Sequence, residues 1–345
     1  MKAVYLTEQG APDVLKYGDL PEPEVGPGQV LLRVRAAALN RLDVFLRAGA
    51  RGQRREFPKP HIPGCDIAGE VAALGAGVAS LQVGQHVVCN PGVTCGRCEY
   101  CTSGNDNMCE QYRMTGVARD GGYAEYVMMP EENVHPIPDD WDFGEAAAIP
   151  LTMLTAYHML ITRSALKPGD SVLIMAAGSG VSAAALQICK LMGARVIATA
   201  SGDEKLRRAR DLGADVTINY RENPEFAAAV LEATGGKGVD IVFDHVGATV
   251  WDQNYRAMKR GGKFITCGVT AGYDVRLHLG QLFSRQLTLM GSFMGTKAEM
   301  RQVVKLMERR AIHGVVAQTF PLRDASKAHE LMESREFFGK IVLQP

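Results

Sequence analysis

Residues 170–200, DSVLIMAAGSGVSAAALQICKLMGARVIATA, constrain the fold more than any other stretch of this chain. The spacing reads as a short buried strand, a glycine-containing turn, an amphipathic helix and a second strand. Two strands separated by a helix run parallel, because a tight hairpin can join only antiparallel neighbours. The same alternation continues beyond. EKLRRARDLGAD is a charged helix ending at Gly213, and strands are expected at VDIVFDHV (239–246), GKFITCGV (262–269) and LTLMGSF (287–293). Strands alternating with helices predict an α/β domain with a doubly wound parallel sheet.

The first 130 residues have another texture. GQVLLRVRAAAL (28–39) suits a strand, GEVAALGAGVASLQVGQHVVC (69–89) reads as strand, turn and strand, and YAEYVMMP (123–130) alternates until it meets Pro130. Proline and glycine punctuate heavily at Pro21, Pro23, Gly26, Pro27 and Gly28. The last fifty residues hold a helix at KAEMRQVVKLMERR, a helical stretch at DASKAHELMES and a closing strand at GKIVLQP. A length of 345 residues accommodates about two domains.

Lys and Arg total 38, as do Asp and Glu, so no net field attracts nucleic acid or a membrane surface. The N-terminal stretch shows no apolar core followed by a cleavage site. The most apolar region, 172–200, is interrupted by Gly178, Gly180, Lys190 and Arg195, which argues against a membrane span. These features lead us to expect a cytoplasmic protein. In a reducing compartment, clustered cysteines point to metal rather than to disulfides.

Such a cluster exists at CGRCEYCTSGNDNMC, where Cys95, Cys98, Cys101 and Cys109 follow a C-x2-C-x2-C-x7-C spacing. Four thiolates can converge tetrahedrally on zinc at about 2.3 Å, and a site with four protein ligands keeps no open position, so the expected metal is structural. Paired disulfides or free thiols are the competing reading. Cys89, Cys189 and Cys267 lie in apolar contexts and read as small core residues.

The turn after VLIM is AAGSGVSAAALQ. A dinucleotide fingerprint asks for G-x-G-x-x-G between strand and helix, so that backbone N–H groups and the helix N-terminus meet a pyrophosphate. Ala177, Ser179 and Ser182 stand where glycines are expected, while Gly178 and Gly180 remain. The flanking strand and helix support the assignment, with Gly178, Ser179, Gly180 and Val181 as cofactor-binding candidates. The second strand ends at Ala200-Ser201-Gly202, without the acid that would hydrogen-bond a ribose 2′-hydroxyl and repel a 2′-phosphate. Ser201, Lys205, Arg207 or Arg208 and Tyr220 are candidates to read a 2′-phosphate. NADP(H) is therefore expected over NAD(H), unless the basic residues form only a solvated helix face.

Taken together, VLLRVRAAALNRLDVFLRAG, IPGCDIAGEV, the glycines at 75 and 77, CGRCEYC, GGYAEYV, AAAIPLTMLTAY, the 177–182 turn, GGKGVD and GKIVL resemble the medium-chain dehydrogenase/reductase superfamily over essentially the whole chain. The resemblance implies a GroES-like β-barrel substrate domain over 1–150 with a structural zinc lobe at 89–112. It also implies a Rossmann domain over 151–292, a segment 293–345 that returns to the substrate domain, and a nicotinamide in the cleft between domains. Homodimers or homotetramers, joined through an edge strand such as FITCGV or LTLMGSF, are implied as well.

The catalytic zinc of the family's alcohol dehydrogenases is a separate site. At its usual ligand positions this chain carries Asn40, then Gly64-Cys65-Asp66, then Leu151. Only Cys65 and Asp66 among these are ordinary metal ligands, with Asp43 nearby, and a catalytic zinc needs about three protein ligands and an open position. Asn40, Asp43 and PLTMLTAY instead resemble the zinc-free quinone oxidoreductase branch. Without a Lewis acid, hydride addition to an enone or quinone is the more accessible chemistry, because charge develops on a remote oxygen that hydrogen bonds can stabilise.

The resemblance gives Asn40 as a donor to that oxygen. Thr155, Gly268 and the backbone near 268–271 and 291–293 would hold the carboxamide, and Gly339 and Lys340 would lie near the cofactor. Asn40 also reads as a turn residue closing a strand, and Asp43 as a helix-start residue. His245 reads as a supporting residue of the cofactor domain, and His61 and His158 as structural. Arg47, Arg51, Arg54, Arg55 and Lys59 suggest either a cationic rim for anionic substrates or a solvated loop.

Three functions stay open at this point: a small-molecule reductase of activated double bonds or quinones, an alcohol dehydrogenase with a metal site remodelled around Cys65 and Asp66, and a non-catalytic cofactor-binding protein. A panel of enones, quinones and alcohols separates them.

Overall fold

The computed structural model describes residues 1–50, 54–57 and 59–345. The chain divides into two units, Met1–Leu151 with Thr296–Pro345, and Thr152–Gly295. Among the described residues no helix is long and apolar enough to cross a membrane.

In the second unit the expected alternation becomes one six-stranded sheet. Its strands, in chain order, are Ser171–Ile174, Arg195–Ala200, Val216–Asn219, Val239–Asp244, Met258–Thr266 and Thr288–Gly291, and every neighbouring pair is parallel. Their spatial order is third, second, first, fourth, fifth, sixth. The first strand lies centrally, which explains its unbroken Val172-Leu173-Ile174 run: all three are fully buried. Strand order reverses between the first and fourth strands. A doubly wound sheet opens a crevice there, beyond the carboxyl ends of the strands. The residues that leave those two ends are the 175–179 turn and His245.

The first unit is built on Gln29–Ala38. Val30, Leu32 and Val34 alternate inward while Arg33 and Arg35 face out. This strand pairs antiparallel with Asp66–Leu74, Tyr126–Pro130 and Lys340–Gln344. The core beneath it includes Ile67, Val87, Met129, Ile341 and Leu343, each such side chain contributing about 1.5–3 kcal/mol on burial. The closing strand is thus a central member of a sheet begun three hundred residues earlier. Its pairing of Val342 with Ala38 brings Lys340 beside Asn40.

The cysteine lobe grows from a short antiparallel pair, Gly92–Val93 with Arg113–Met114. Asp106 in this lobe accepts the backbone N–H of Lys297 at 3.1 and 3.3 Å, at the start of helix Lys297–Glu308. The Lys297 ammonium pairs with Glu132 at 2.6 Å. The helix has its own capping box from Thr296 and Glu299. The lobe is therefore pinned to the returning segment by a carboxylate at a helix N-terminus, where the macrodipole favours it.

The basic loop does not form a rim as a whole. Arg47 is buried, with its guanidinium bonded to Gly10 O and to Glu333. Arg55 reaches the Val117 carbonyl. Arg54 and Lys59 are exposed, and Arg51 lies outside the described residues. The helix face of Arg41–Ala48 explains Arg47: Val44 and Leu46 are buried on the same helix, and its last turn packs inward.

Gly339 makes the sharp entry into the closing strand. Its φ is +98°, and a Cβ would lie 2.2 Å from Val315 O. Gly339→Ala is expected to lower unfolding free energy by at least about 1–2 kcal/mol, read as a shift of the urea midpoint; an unchanged midpoint would contradict this account.

Candidate functional site

Asn40 caps helix Arg41–Ala48. Its backbone N–H donates to Asp43 Oδ2 at 2.7 Å, completing a capping box. Gly64, at φ +103° and packed on Tyr123, turns the chain so that Cys65 and Asp66 enter the next strand fully buried. The closing strand adds Lys340. These residues meet in one buried polar cluster. The Lys340 ammonium donates to Asn40 Oδ1 at 2.6 Å and to Asp66 Oδ2 at 2.7 Å. Asn40 Nδ2 donates to the same Asp66 oxygen at 2.9 Å and to Ala38 O at 3.4 Å. The other Asp66 oxygen accepts the Leu151 N–H at 2.7 Å. The Cys65 thiol lies 3.7 Å from Asp43 Oδ1.

This donor set does not fit a catalytic zinc. Both Asp66 oxygens are engaged, and an ammonium lies between Asn40 and Asp66. Burial, with Asp43 and Asp66 nearby, pushes the Cys65 thiol well above its ordinary range. Burial also raises Asp43 to about 6, against the opposing pull of the Asn40 N–H. Lys340, expected near the cofactor or the cleft, commits two of its three donors inside the first unit. Asn40, expected as a donor or as a turn residue, has one amide hydrogen on Asp66 and the other on a long contact to Ala38 O.

Among the described residues, the four cysteines are the one group of His, Cys, Asp and Glu whose ligand atoms converge as a metal site. Their sulfurs all lie within 4.8 Å of one another. Cys98 and Cys101 sulfurs are 3.5 Å apart, and Cys95 and Cys101 3.9 Å. A zinc tetrahedron with bonds of about 2.3 Å has edges of about 3.8 Å, so the residues fit that metal. Backbone N–H groups already point at the sulfurs: Cys98 N lies 3.4 Å from Cys95 Sγ, and Gln111 N 3.3 Å from Cys109 Sγ. The N–H groups of Arg97 and Cys98 hold the Cys95 thiol down to about 6, while burial and the Cys98 and Cys109 sulfurs push Cys101 up to about 11.

In the second unit the turn after the first strand carries the cofactor candidates. Ala176 adopts φ +49°, the left-handed region that ordinary residues rarely enter. Ser179 is the N-cap of helix Gly180–Leu191, its hydroxyl accepting from Ser182 N. Gly180 and Val181 sit in that helix's first turn, whose N–H groups no intrahelical carbonyl reaches. Ser182 is fully buried, and its hydroxyl donates to Met175 O at 2.7 Å. Serines thus take two glycine places of the fingerprint by making bonds that glycine lacks. Arg207 pairs with Glu204 and Asp211 on its own helix, which supports the solvated-face reading for that residue. Ser201 directly follows the second strand, Lys205 lies in the next helix, Asp203–Asp211, and Tyr220 N donates to Ala200 O. Thr155 is buried, 3.8 Å from Met294 sulfur, and the Gly268 carbonyl accepts from the Thr266 hydroxyl.

Comparison with known proteins follows the same division. A family model for zinc-binding dehydrogenases matches residues 180–309, and one for the alcohol dehydrogenase GroES-like domain matches residues 26–139. The chain is 31% identical over 342 residues to the zinc-type alcohol dehydrogenase-like protein of Schizosaccharomyces pombe, covering 96% of this chain and 95% of that protein. It is 31% identical over 357 residues to the quinone oxidoreductase of Pseudomonas aeruginosa, covering 100% and 99%. A solved NAD-dependent alcohol dehydrogenase superposes with a TM-score of 0.96 at 48% identity, over 100% of both chains. The two units therefore have the GroES-like and Rossmann folds.

Two outcomes test the buried cluster. Lys340→Met strands the Asp66 carboxylate and is expected to cost about 3–5 kcal/mol in denaturant unfolding, with Asp66→Asn on the same chain recovering part of the loss. The folded Asp43 keeps its proton to about pH 6, whereas the unfolded one loses it near 3.8. Between those values the folded state binds more protons, so stability falls as pH rises and stays lowered above about 6. Asp43→Asn is expected to flatten that decline in unfolding curves taken across the window.

Proposed function

Taking as premise that the chain belongs to the medium-chain dehydrogenase/reductase superfamily, and so is an NAD(P)-dependent oxidoreductase, we propose that it reduces activated double bonds or quinones without a catalytic zinc. The observation that carries this reading is the Lys340 ammonium bonded to Asn40 and Asp66, at the positions from which a catalytic metal would be held. The metal expected is one structural zinc per chain, on Cys95, Cys98, Cys101 and Cys109.

The nicotinamide supplies the hydride. The protein's part is to hold the cofactor and meet the charge that develops on the substrate. Gly178, Ser179, Gly180 and Val181 present the turn and helix N-terminus to the pyrophosphate. Ser201, Lys205 and Tyr220, with no acid at Ala200-Ser201-Gly202, favour a 2′-phosphate and hence NADP(H). Thr155 and Gly268 orient the carboxamide.

Of the Asn40 amide hydrogens, the one reaching Ala38 O at 3.4 Å is the weaker bound and is the one offered to a substrate oxygen. Lys340, donating to the carbonyl of the same amide, polarises it and strengthens that donor. Asp43 and Cys65 keep the Asn40 side of the cluster in place. A second reading, NAD-linked alcohol oxidation, is favoured by the 48% identity to a solved NAD-dependent alcohol dehydrogenase.

A homo-oligomer is part of the proposal. The sheet of the second unit ends at Thr288–Gly291, and Leu279, Phe283 and Phe293 are exposed beside it at 66%, 76% and 55%. An open strand edge with large apolar side chains is a pairing surface.

Elemental analysis is expected to give one zinc per chain. Steady-state assays are expected to show NADPH-dependent turnover of enones or quinones, with Asn40→Ala lowering kcat about a hundredfold. Two zincs per chain together with NAD-linked alcohol oxidation would overturn the reading. Sedimentation is expected to give a dimer or tetramer that Phe283→Glu dissociates.

A further inference from the structure

Two serines and one histidine meet where the sheet of the second unit reverses its strand order. His245 follows the fourth strand, and its Nε2 lies 2.9 Å from Ser179 Oγ and 3.1 Å from Ser182 Oγ. Ser179 and Ser182 occupy the second and third glycine places of the phosphate-binding turn.

Counting hydrogens fixes the direction of each bond. A serine hydroxyl has one proton to give and two lone pairs. Ser182 donates its proton to Met175 O, since a carbonyl can only accept. Its contact with His245 is therefore a bond only if Nε2 carries the ring hydrogen. Burial holds this imidazole neutral, pulled down to about 4, so it has a single N–H. Backbone carbonyls of Met175 and His245 also attract the ring's protons; the Ser182 contact places the single hydrogen on Nε2, shared between the two serine oxygens. Ser179 Oγ also accepts from Ser182 N at 3.2 Å. Both Ser179 lone pairs are then occupied, while no acceptor among the described residues takes its proton.

We propose that His245 is a positioning residue for the coenzyme: by donating to Ser179 it turns that hydroxyl into an obligate donor aimed at the pyrophosphate. The inference rests on the cofactor role of the turn given above. It also explains how a fingerprint without its glycines still suits an anion. A serine that kept a free lone pair would repel a phosphate oxygen, whereas one whose lone pairs are filled can only attract it. Glycine at the same place offers no side-chain donor. Ser182 supports the arrangement from below, since its bond to Met175 O anchors the helix to the strand end and leaves its oxygen to accept from His245.

The test is a double-variant cycle on the full chain, with ADP-ribose as the pyrophosphate probe and NADPH in parallel, followed by titration calorimetry and fluorescence. Ser179→Ala and His245→Phe are each expected to weaken ADP-ribose binding about tenfold or more, as expected for a lost bond to a charged group. The combined variant is expected to be no weaker than either alone, because His245 acts through Ser179. His245→Gln, which keeps a side-chain N–H, is expected to retain most of the affinity. Nitrogen-15 NMR of the wild type is expected to find His245 protonated on Nε2.

Unchanged binding in His245→Phe, additive losses in the double variant, or a ring protonated on Nδ1 alone would each overturn the inference while leaving the cofactor site intact. If His245→Phe is unfolded by circular dichroism, the NMR tautomer and the His245→Gln affinity decide in the same way. A wild type that binds neither ADP-ribose nor NADPH would overturn the cofactor reading, and this inference with it.

Discussion

Lys340 is a cation with almost no water around it: its side chain is 5% exposed and that of its partner Asp66 is 0%. Removing two such charges from solvent is costly, and their attraction repays it only when the geometry is good and the remaining polar atoms are satisfied. Here they are. The ammonium lies at 2.6 and 2.7 Å from two acceptors, and Asp66 accepts three hydrogen bonds, one each from Lys340, Asn40 and Leu151. This single ion pair, with Asn40, ties together the end of strand Gln29–Ala38, the start of strand Asp66–Leu74 and the last strand of the chain. Much of the first unit is arranged to make it possible. Gly339 permits the entry of Lys340, Gly64 the entry of Asp66, and the capping box on Asn40 and Asp43 fixes the helix that follows.

The same pair limits what the cluster can hold. A zinc ion polarises a carbonyl by direct ligation and needs thiolate, imidazole or carboxylate donors with free lone pairs. An ammonium held by a carboxamide and a carboxylate can only donate hydrogen bonds or act through the groups it touches. The buried thiol of Cys65 and the raised carboxyl of Asp43 belong with that picture, since both are pushed toward their neutral forms. The four-cysteine lobe is organised oppositely. Its backbone N–H groups favour thiolate, and Asp106 ties the lobe to the helix beginning at Lys297.

In the cofactor unit the equivalent constraint is where strand order reverses. The first and fourth strands release their chains side by side, which places the serine turn and His245 in contact although 63 residues separate Ser182 from His245. Hydroxyl and imidazole bonds there do work that glycine does elsewhere by being small.

The division into a parallel-sheet unit and a β-rich unit was legible in the sequence because side-chain periodicity reports burial directly: Val172-Leu173-Ile174 is continuous and Val30, Leu32 and Val34 alternate. The cysteine cluster was legible because its ligands are close in sequence and their spacing alone brings them together. The missing zinc ligands at Asn40 and Leu151 could also be read, since ligand chemistry depends on residue type. Tertiary structure alone decided the rest. That Lys340 joins Asn40 and Asp66, that Arg47 is buried rather than on a rim, and that His245 meets Ser179 all depend on strand pairing across tens to hundreds of residues. A hydrogen bond is set by distance and direction in space, and no local pattern of residue types encodes either.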